Sequence, residues 1–145
     1  MPAIDANLIL DSGRTVTVDE TESAISVEGG FFAIAHLLTG AMSGASTTLD
    51  AYIQVSDDEG SNYYMAAKFQ QLGPSDDSKY LKCVCYIRRP DTAGELTRVR
   101  VRYEVAGSAP SYVITRCWLE PMLTLGVPAQ DEAQTEGLCA EVSAI

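Results

Sequence analysis

At 145 residues the chain has the length of one domain, and folding at this size hides roughly 70% of the surface that an extended chain exposes, so a self-sufficient core is expected. Apolar residues make up 46% and charged residues 21%, which excludes wholesale disorder. A net charge of -10 sets the chain against DNA and anionic lipid, so neither nucleic acid nor membrane is expected as a partner.

That charge is unevenly spread. Residues 1–60 carry ten acidic groups against Arg14 alone, whereas residues 61–120 carry nine Lys and Arg against six acids. No apolar run approaches the ~20 residues that span a bilayer. Met1, Pro2, Ala3, Ile4 and Asp5 lack the basic and hydrophobic regions of a signal peptide, so a cytosolic origin is expected. Cys83, Cys85, Cys117 and Cys139 suit that setting as reduced residues, with a disulfide involving Cys117 or Cys139 as the alternative. Cys83 and Cys85, two apart in a strand, share a face and read as small buried hydrophobes.

Residues 1–30 read as short strands between polar turns. Leu8, Ile9 and Leu10 precede Asp11-Ser12-Gly13; residues 14–18 and 24–28 then alternate apolar and polar side chains. The pattern predicts an extended N-terminal arm or edge meander, which needs something else to lie against. On that ground Leu8, Ile9, Leu10, Val16 and Val18 are candidate contacts with a sister subunit or another partner.

Phe31 to Leu38 reads as a buried strand, with a helical turn as the alternative, and Gly40 to Ser46 as a flexible loop. Residues 49–55 alternate with period two, residues 56–62 supply turn formers, and residues 63–69 resume an aromatic-rich strand, which together predict a β-hairpin. Residues 73–78 form a loop, Tyr80 to Arg89 a strand and residues 90–94 a turn. Val99, Val101, Tyr103 and Val105 then face one way, with Arg98, Arg100, Arg102 and Glu104 facing the other.

Residues 106–110 read as another turn. The strand from Ser111 to Leu119 would place Tyr112, Ile114, Arg116 and Trp118 on one face. From Pro121 the pattern fades into a C-terminal tail, whose last residues, 138–145, would pack back or dock on a neighbour. The sum is an all-β fold, a β-sandwich or jelly-roll-like domain over residues 31–120, with extensions at 1–30 and 121–145.

Chemistry is sparse. His36 is the only histidine, which excludes a multi-histidine metal cluster and leaves a packed histidine as the simplest reading. Asp57, Asp58 and Glu59 beside Gly60 invite a calcium reading, but the alternating ligand spacing of a calcium loop is missing. No catalytic, cofactor or metal residues are assigned, and no enzymatic activity is expected. Tyr63, Tyr64, Tyr112 and Trp118 are candidates for a sugar-stacking platform, with core or interface packing as the alternative. Arg98, Arg100 and Arg102 share one strand face and need acidic cover, from cross-strand acids or from a partner's acidic arm.

The span from Leu49 to Leu119 resembles small structural proteins of tailed-bacteriophage heads. The similar features are a strand ending in Gln54-Val55-Ser56-Asp57-Asp58-Glu59-Gly60, an aromatic pair followed by Phe69, and Val99-Arg100-Val101-Arg102-Tyr103 leading into Val105-Ala106-Gly107-Ser108-Ala109-Pro110-Ser111-Tyr112. The resemblance is to capsid decoration, or cement, proteins and covers about half the chain. It implies a homotrimer that binds the major capsid protein on the exterior of the virion, assembled in the host cytoplasm, and stabilises the shell by bridging neighbouring subunits. The alternatives are a carbohydrate- or receptor-binding module on the virion and a tail tube or head-completion protein.

Overall fold

The structure, a computed structural model, describes residues 8–122. Eight β-strands carry it: β1 (Ile9–Asp11), β2 (Arg14–Val16), β3 (Glu20–Thr21), β4 (Ile25–Val27), β5 (Phe31–Ser56), β6 (Tyr64–Lys68), β7 (Tyr80–Ile87) and β8 (Thr97–Pro121). Two of them dominate, because β5 and β8 run antiparallel along nearly their whole lengths, from Ala33 opposite Pro121 to Ser56 opposite Arg98.

This ribbon bends in the middle. The register shifts between Leu38 and Thr48, where Gly44 (φ 118°), Ser46 (φ 54°), Gly107 (φ 103°) and Ala109 (φ 48°) take left-handed backbone conformations. The Gly40–Ser46 loop and the 106–110 turn expected from the sequence are therefore the corner of one continuous ribbon. Their small residues let the ladder fold over without ending.

Each half of the ribbon becomes the centre of a layer. In one layer the order is β7, the first half of β5, the second half of β8, then β1 and β2. In the other it is β6, the second half of β5, the first half of β8, then β3 and β4. Two four-position layers connected in this order make a jelly-roll sandwich. Ala33, Ala35, Leu37 and Leu119 from one layer join Leu49, Ile53, Val99 and Val101 from the other in a single buried cluster. Each such aliphatic side chain, once buried, contributes on the order of 1.5–3 kcal/mol.

The described part of the N-terminal stretch lies along β8 as edge strands of both layers. Leu8, Leu10 and Val16, expected as partner contacts, instead fill the domain's own core. Ile9 is half-buried opposite Trp118, and Val18 remains exposed. Arg14 clasps this region: its guanidinium meets Asp11 at 2.9 Å, Glu20 at 3.0 Å and Glu22. The Glu22 carboxyl is held below its ordinary range by the hydrogen bond from Arg14.

One bulge redirects the C-terminal half of β8. Leu38 pairs with Arg116 but Thr39 with Ile114, so Thr115 is an extra residue on that strand. Tyr112 and Ile114 point inward, and so do Cys117 and Leu119 beyond the bulge. Arg116 and Trp118 are thereby turned to the outer face, away from the side of Tyr112 and Ile114 that simple alternation gives them. Cys85 and Cys117 are buried thiols outside any disulfide, and burial pushes Cys85 up to about 12 and Cys117 upward as well. Cys139 and the rest of the expected tail lie outside the described residues.

Candidate binding surfaces

The acidic turns are occupied by their own architecture. Asp58 accepts hydrogen bonds from Ser56 Oγ at 2.6 Å and from Asn62 backbone N and Nδ2 at 2.9 and 2.8 Å, which hold its carboxyl down at about 2. Asp57 pairs with Arg88 at 3.2 Å, and Asp76 accepts from Gly73 N at 2.8 Å. These carboxylates close turns. Among the described residues no group of three or more His, Cys, Asp or Glu side chains is placed to hold a metal.

The outer face of the β6-containing layer carries the arginine row. Arg100 donates from Nε to Gln54 Oε1 at 2.8 Å and lies 3.6 Å from the centre of the Tyr63 ring. Arg102 donates to Glu104 at 3.1 Å and to Thr21 Oγ1 at 3.0 Å, while Arg98 lies exposed along Gly60. Two of the three arginines thus find partners within the chain. Lys68 and Arg88 cover the rings of Tyr52 and Tyr64 in the same manner, at 5.6 and 5.2 Å.

The other outer face is of a different kind. β5 presents Phe32, Ile34, His36 and Leu38 to it; β7 presents Tyr80, Lys82, Val84 and Tyr86 in register. Arg116, Trp118 and Glu120 of β8 complete the surface. Phe32, Tyr80 and Tyr86 are exposed by 40%, 39% and 44%. A sheet face with so much open aromatic surface departs from the polar outer face usual for antiparallel sandwiches.

His36 is a hub on this face, between Tyr80 and Trp118. It stacks on Trp118 with centroids 4.6 Å apart and planes 6° from parallel, and both residues are buried. Nε2 lies 2.8 Å from Glu120 Oε1 and Nδ1 lies 2.7 Å from Tyr80 Oη. A carboxylate accepts, so Nε2 carries the proton and Nδ1 accepts from the Tyr80 hydroxyl. Burial lowers the His36 pKa and outweighs the opposing pull of Glu120. Lys82 sits over the Tyr80 ring at 5.2 Å, and Trp118 Nε1 and Arg116 Nε are buried without an acceptor among the described residues.

The four aromatics expected to form an open platform are not the open ones. Tyr112 is in the core, hydrogen-bonded to Thr47 and to the Gly73 carbonyl; Trp118 is buried; Tyr63 and Tyr64 are covered by Arg100 and Arg88. The open rings are Phe32, Tyr80 and Tyr86. The available signal was that Phe31 to Leu38 is apolar on both faces, which reads equally as a doubly buried strand and as a strand with an apolar outer surface.

No family model matches the sequence, and no curated protein aligns with it significantly. Among solved structures the chain is similar to the CBM22-2 xylan-binding domain from Paenibacillus barcinonensis Xyn10C, at 12% identity and a TM-score of 0.47 over 78% of this chain and 93% of that one. It is also similar to TmCBM61 in complex with β-1,4-galactotriose, at 11% identity and a TM-score of 0.42 over 77% of this chain and 83% of that one. A third likeness is to the CBM22-1–GH10 modules of Clostridium thermocellum xylanase 10B, at 9% identity and a TM-score of 0.46 over 81% of this chain and 27% of that one. Likenesses this distant assign no ligand to this chain.

Proposed function

We propose that the chain is a non-catalytic structural protein of a tailed-phage head, which attaches to the exterior of the assembled shell through the outer face of β7, β5 and β8. The observation that carries this reading is the apolar face on which the exposed rings of Phe32, Tyr80 and Tyr86 stand together, whereas the other large exposed hydrophobic residues, Val18, Met65 and Leu96, lie on separate segments. The resemblance of residues 49–119 to decoration proteins supplies the partner, the major capsid protein. Copies associating as trimers would present three such faces at a junction of capsid subunits. A protein that binds only the assembled shell stabilises it by mass action.

The geometry of the face favours a protein surface over a sugar. Phe32 and Tyr86 pack on each other at 4.8 Å with planes tilted by 51°, so they do not form one flat shelf. The next cross-strand pair, Ile34 with Val84, offers no hydrogen-bonding groups to hydroxyls, and the polar groups of the face, such as Lys82, begin only beyond it. The test is occupancy on purified heads that lack the protein. Full occupancy by wild type and loss of at least tenfold in affinity for Phe32→Asp/Tyr86→Asp, with an unchanged circular dichroism spectrum, is the expected result; equal occupancy by the variant sinks the assignment.

A carbohydrate-binding module on the virion is the second reading, favoured by the exposed rings of Tyr80 and Tyr86 along one strand. It predicts binding on a glycan array that is lost in Tyr80→Ala and Tyr86→Ala. Shell attachment without glycan binding decides for the first reading.

A further inference from the structure

The chain itself answers only part of the arginine row on the outer face of the β6-containing layer. Across the ladder Arg102 stands opposite Tyr52 and Thr21, Arg100 opposite Gln54, and Arg98 opposite Ser56 on one side and Ser26 on the other. None of these neighbours is an acid. Arg102 reaches Glu104 along its own strand, and Lys68 pairs with Asp50 at 3.3 Å. Among the described residues no carboxylate lies within ion-pair distance of Arg98 or Arg100. The acids of the neighbouring turn are committed elsewhere, Asp57 to Arg88 and Asp58 to Ser56 and Asn62, and Glu59 makes no ion pair with either arginine.

The two guanidiniums are nevertheless positioned. Arg100 donates from Nε to Gln54 Oε1 and lies against the Tyr63 ring, with its terminal nitrogens outside any hydrogen bond among the described residues. Arg98 lies exposed along the turn at Gly60, where an added Cβ would stand 3.4 Å from its Nη1 and 3.5 Å from Tyr63 Oη. The Arg98 guanidinium and the Tyr63 hydroxyl thus converge on one spot beside a residue without a side chain. Arg98 and Arg100 follow each other at about 7 Å along β8, the repeat of alternate side chains in any extended chain.

We propose that Arg98 and Arg100, with Tyr63 Oη, bind an extended acidic segment of another protein, whose carboxylates at alternate positions meet one guanidinium each. Charge complementarity argues for this occupant, since planar guanidinium forks match planar carboxylates bidentately. The spacing favours an extended polypeptide over one small oxyanion, which would have to draw both arginines together although Arg100 is tied to Gln54. The site lies on the layer opposite the aromatic face, so it is independent of the attachment reading and can be filled while that face is occupied.

The probe is a synthetic peptide of alternating Glu and Thr, titrated into the full chain at low ionic strength and followed by the NMR shifts of backbone and arginine N–H groups. Saturable shifts centred on Arg98 and Arg100 are expected, with binding weaker by about tenfold or more in Arg98→Gln/Arg100→Gln, which loses a charge-assisted contact at each position. Arg98→Gln alone, at an exposed residue with no hydrogen bond to lose, is expected to weaken binding several-fold. Lys79→Gln/Arg89→Gln removes the same two charges from outside this face and is expected to leave binding unchanged. Absence of saturable binding to wild type overturns the proposal, as does equal weakening in the two double variants, which would mean that only overall charge is sensed. Inorganic phosphate binding the same arginines as tightly as the peptide overturns the assignment to an extended acidic chain.

Discussion

Tyr103 Oη donates a hydrogen bond to Asp11 Oδ2 at 2.7 Å across the interior, linking β8 in one layer to β1 in the other over 92 residues of sequence. Asp11 is buried and also accepts hydrogen bonds from Gly13 N at 3.0 Å and Arg14 Nε at 2.9 Å. Burial is the main reason the Tyr103 phenol is pushed far above its ordinary range, and the adjacent carboxylate adds to it, so the hydroxyl keeps its proton. Tyr103→Phe removes one of the donors that hold a buried carboxylate. Its expected cost is about 1–3 kcal/mol of unfolding free energy, read as a lower urea midpoint at unchanged m-value.

Arg14 is expected to matter as much for where stability is lost as for how much. Arg14→Leu deprives buried Asp11 of its counter-charge, at a cost of about 2 kcal/mol, reduced from the deep-interior figure because the arginine is itself partly exposed. It should also change the acid limb of the stability curve. The folded-state pKa of Glu22 is depressed by Arg14, so its contribution is present above the unfolded value of 4.5 and is lost as pH falls below it. Urea midpoints between pH 5 and pH 3 should therefore fall less steeply in Arg14→Leu than in wild type.

The parts of the fold that were legible in the sequence are those where one face is wet. Residues 97–105 and 49–55 alternate because arginines, Gln54 and Asp50 line the solvent side while valines and Ile53 fill the interior, and both segments are strands as expected. The corner at residues 40–46 and 106–110 was not legible, because glycine and small residues serve a bent ribbon and a chain-reversing loop equally well. The bulge at Thr115 was hidden for a different reason: one extra residue reverses the alternation after it, and nothing in the local composition marks the slip. Leu8, Leu10 and Val16 are too few in their segments to declare a core, and only pairing with β8 shows that they complete one. Of the candidate surface, the arginine row was visible from spacing, whereas Phe32, Tyr80 and Tyr86 required the register of β5 with β7.

The corner glycines give a sharper test of the bent ribbon. At Gly107 the backbone has φ 103°, and an added Cβ would lie against the Ser46 carbonyl and 2.6 Å from Thr47 Cα. Both are backbone atoms of the opposite strand, which cannot swing aside. Gly107→Ala is expected to destabilise the domain by about 2 kcal/mol or more through strain and crowding together, whereas Gly94→Ala, in a loop with open space around it, should cost only its positive-φ strain, about 1 kcal/mol. Equal thermal shifts for the two variants would contradict the tight corner.

His36 should impose a pH dependence in a window that no other side chain in the chain normally occupies, since it is the only histidine. Burial depresses its folded-state pKa below 6.5 despite Glu120. The neutral ring is therefore favoured in the folded state, while the unfolded chain takes up a proton as pH falls through 6.5. Stability is full above that value and declines below it until the folded-state pKa is reached, at a slope of no more than about 1.4 kcal/mol per pH unit for a single proton. Groups facing the ring are Tyr80 and Lys82 from β7 and Trp118 and Glu120 from β8. His36→Phe retains a ring to stack on Trp118 but has no proton to bind. Urea titrations at pH 8, 6.5 and 5.5 should show a falling midpoint in wild type and a nearly flat one in His36→Phe; parallel curves would mean that the imidazole binds its proton equally well in the folded and unfolded states, against the depression argued from burial.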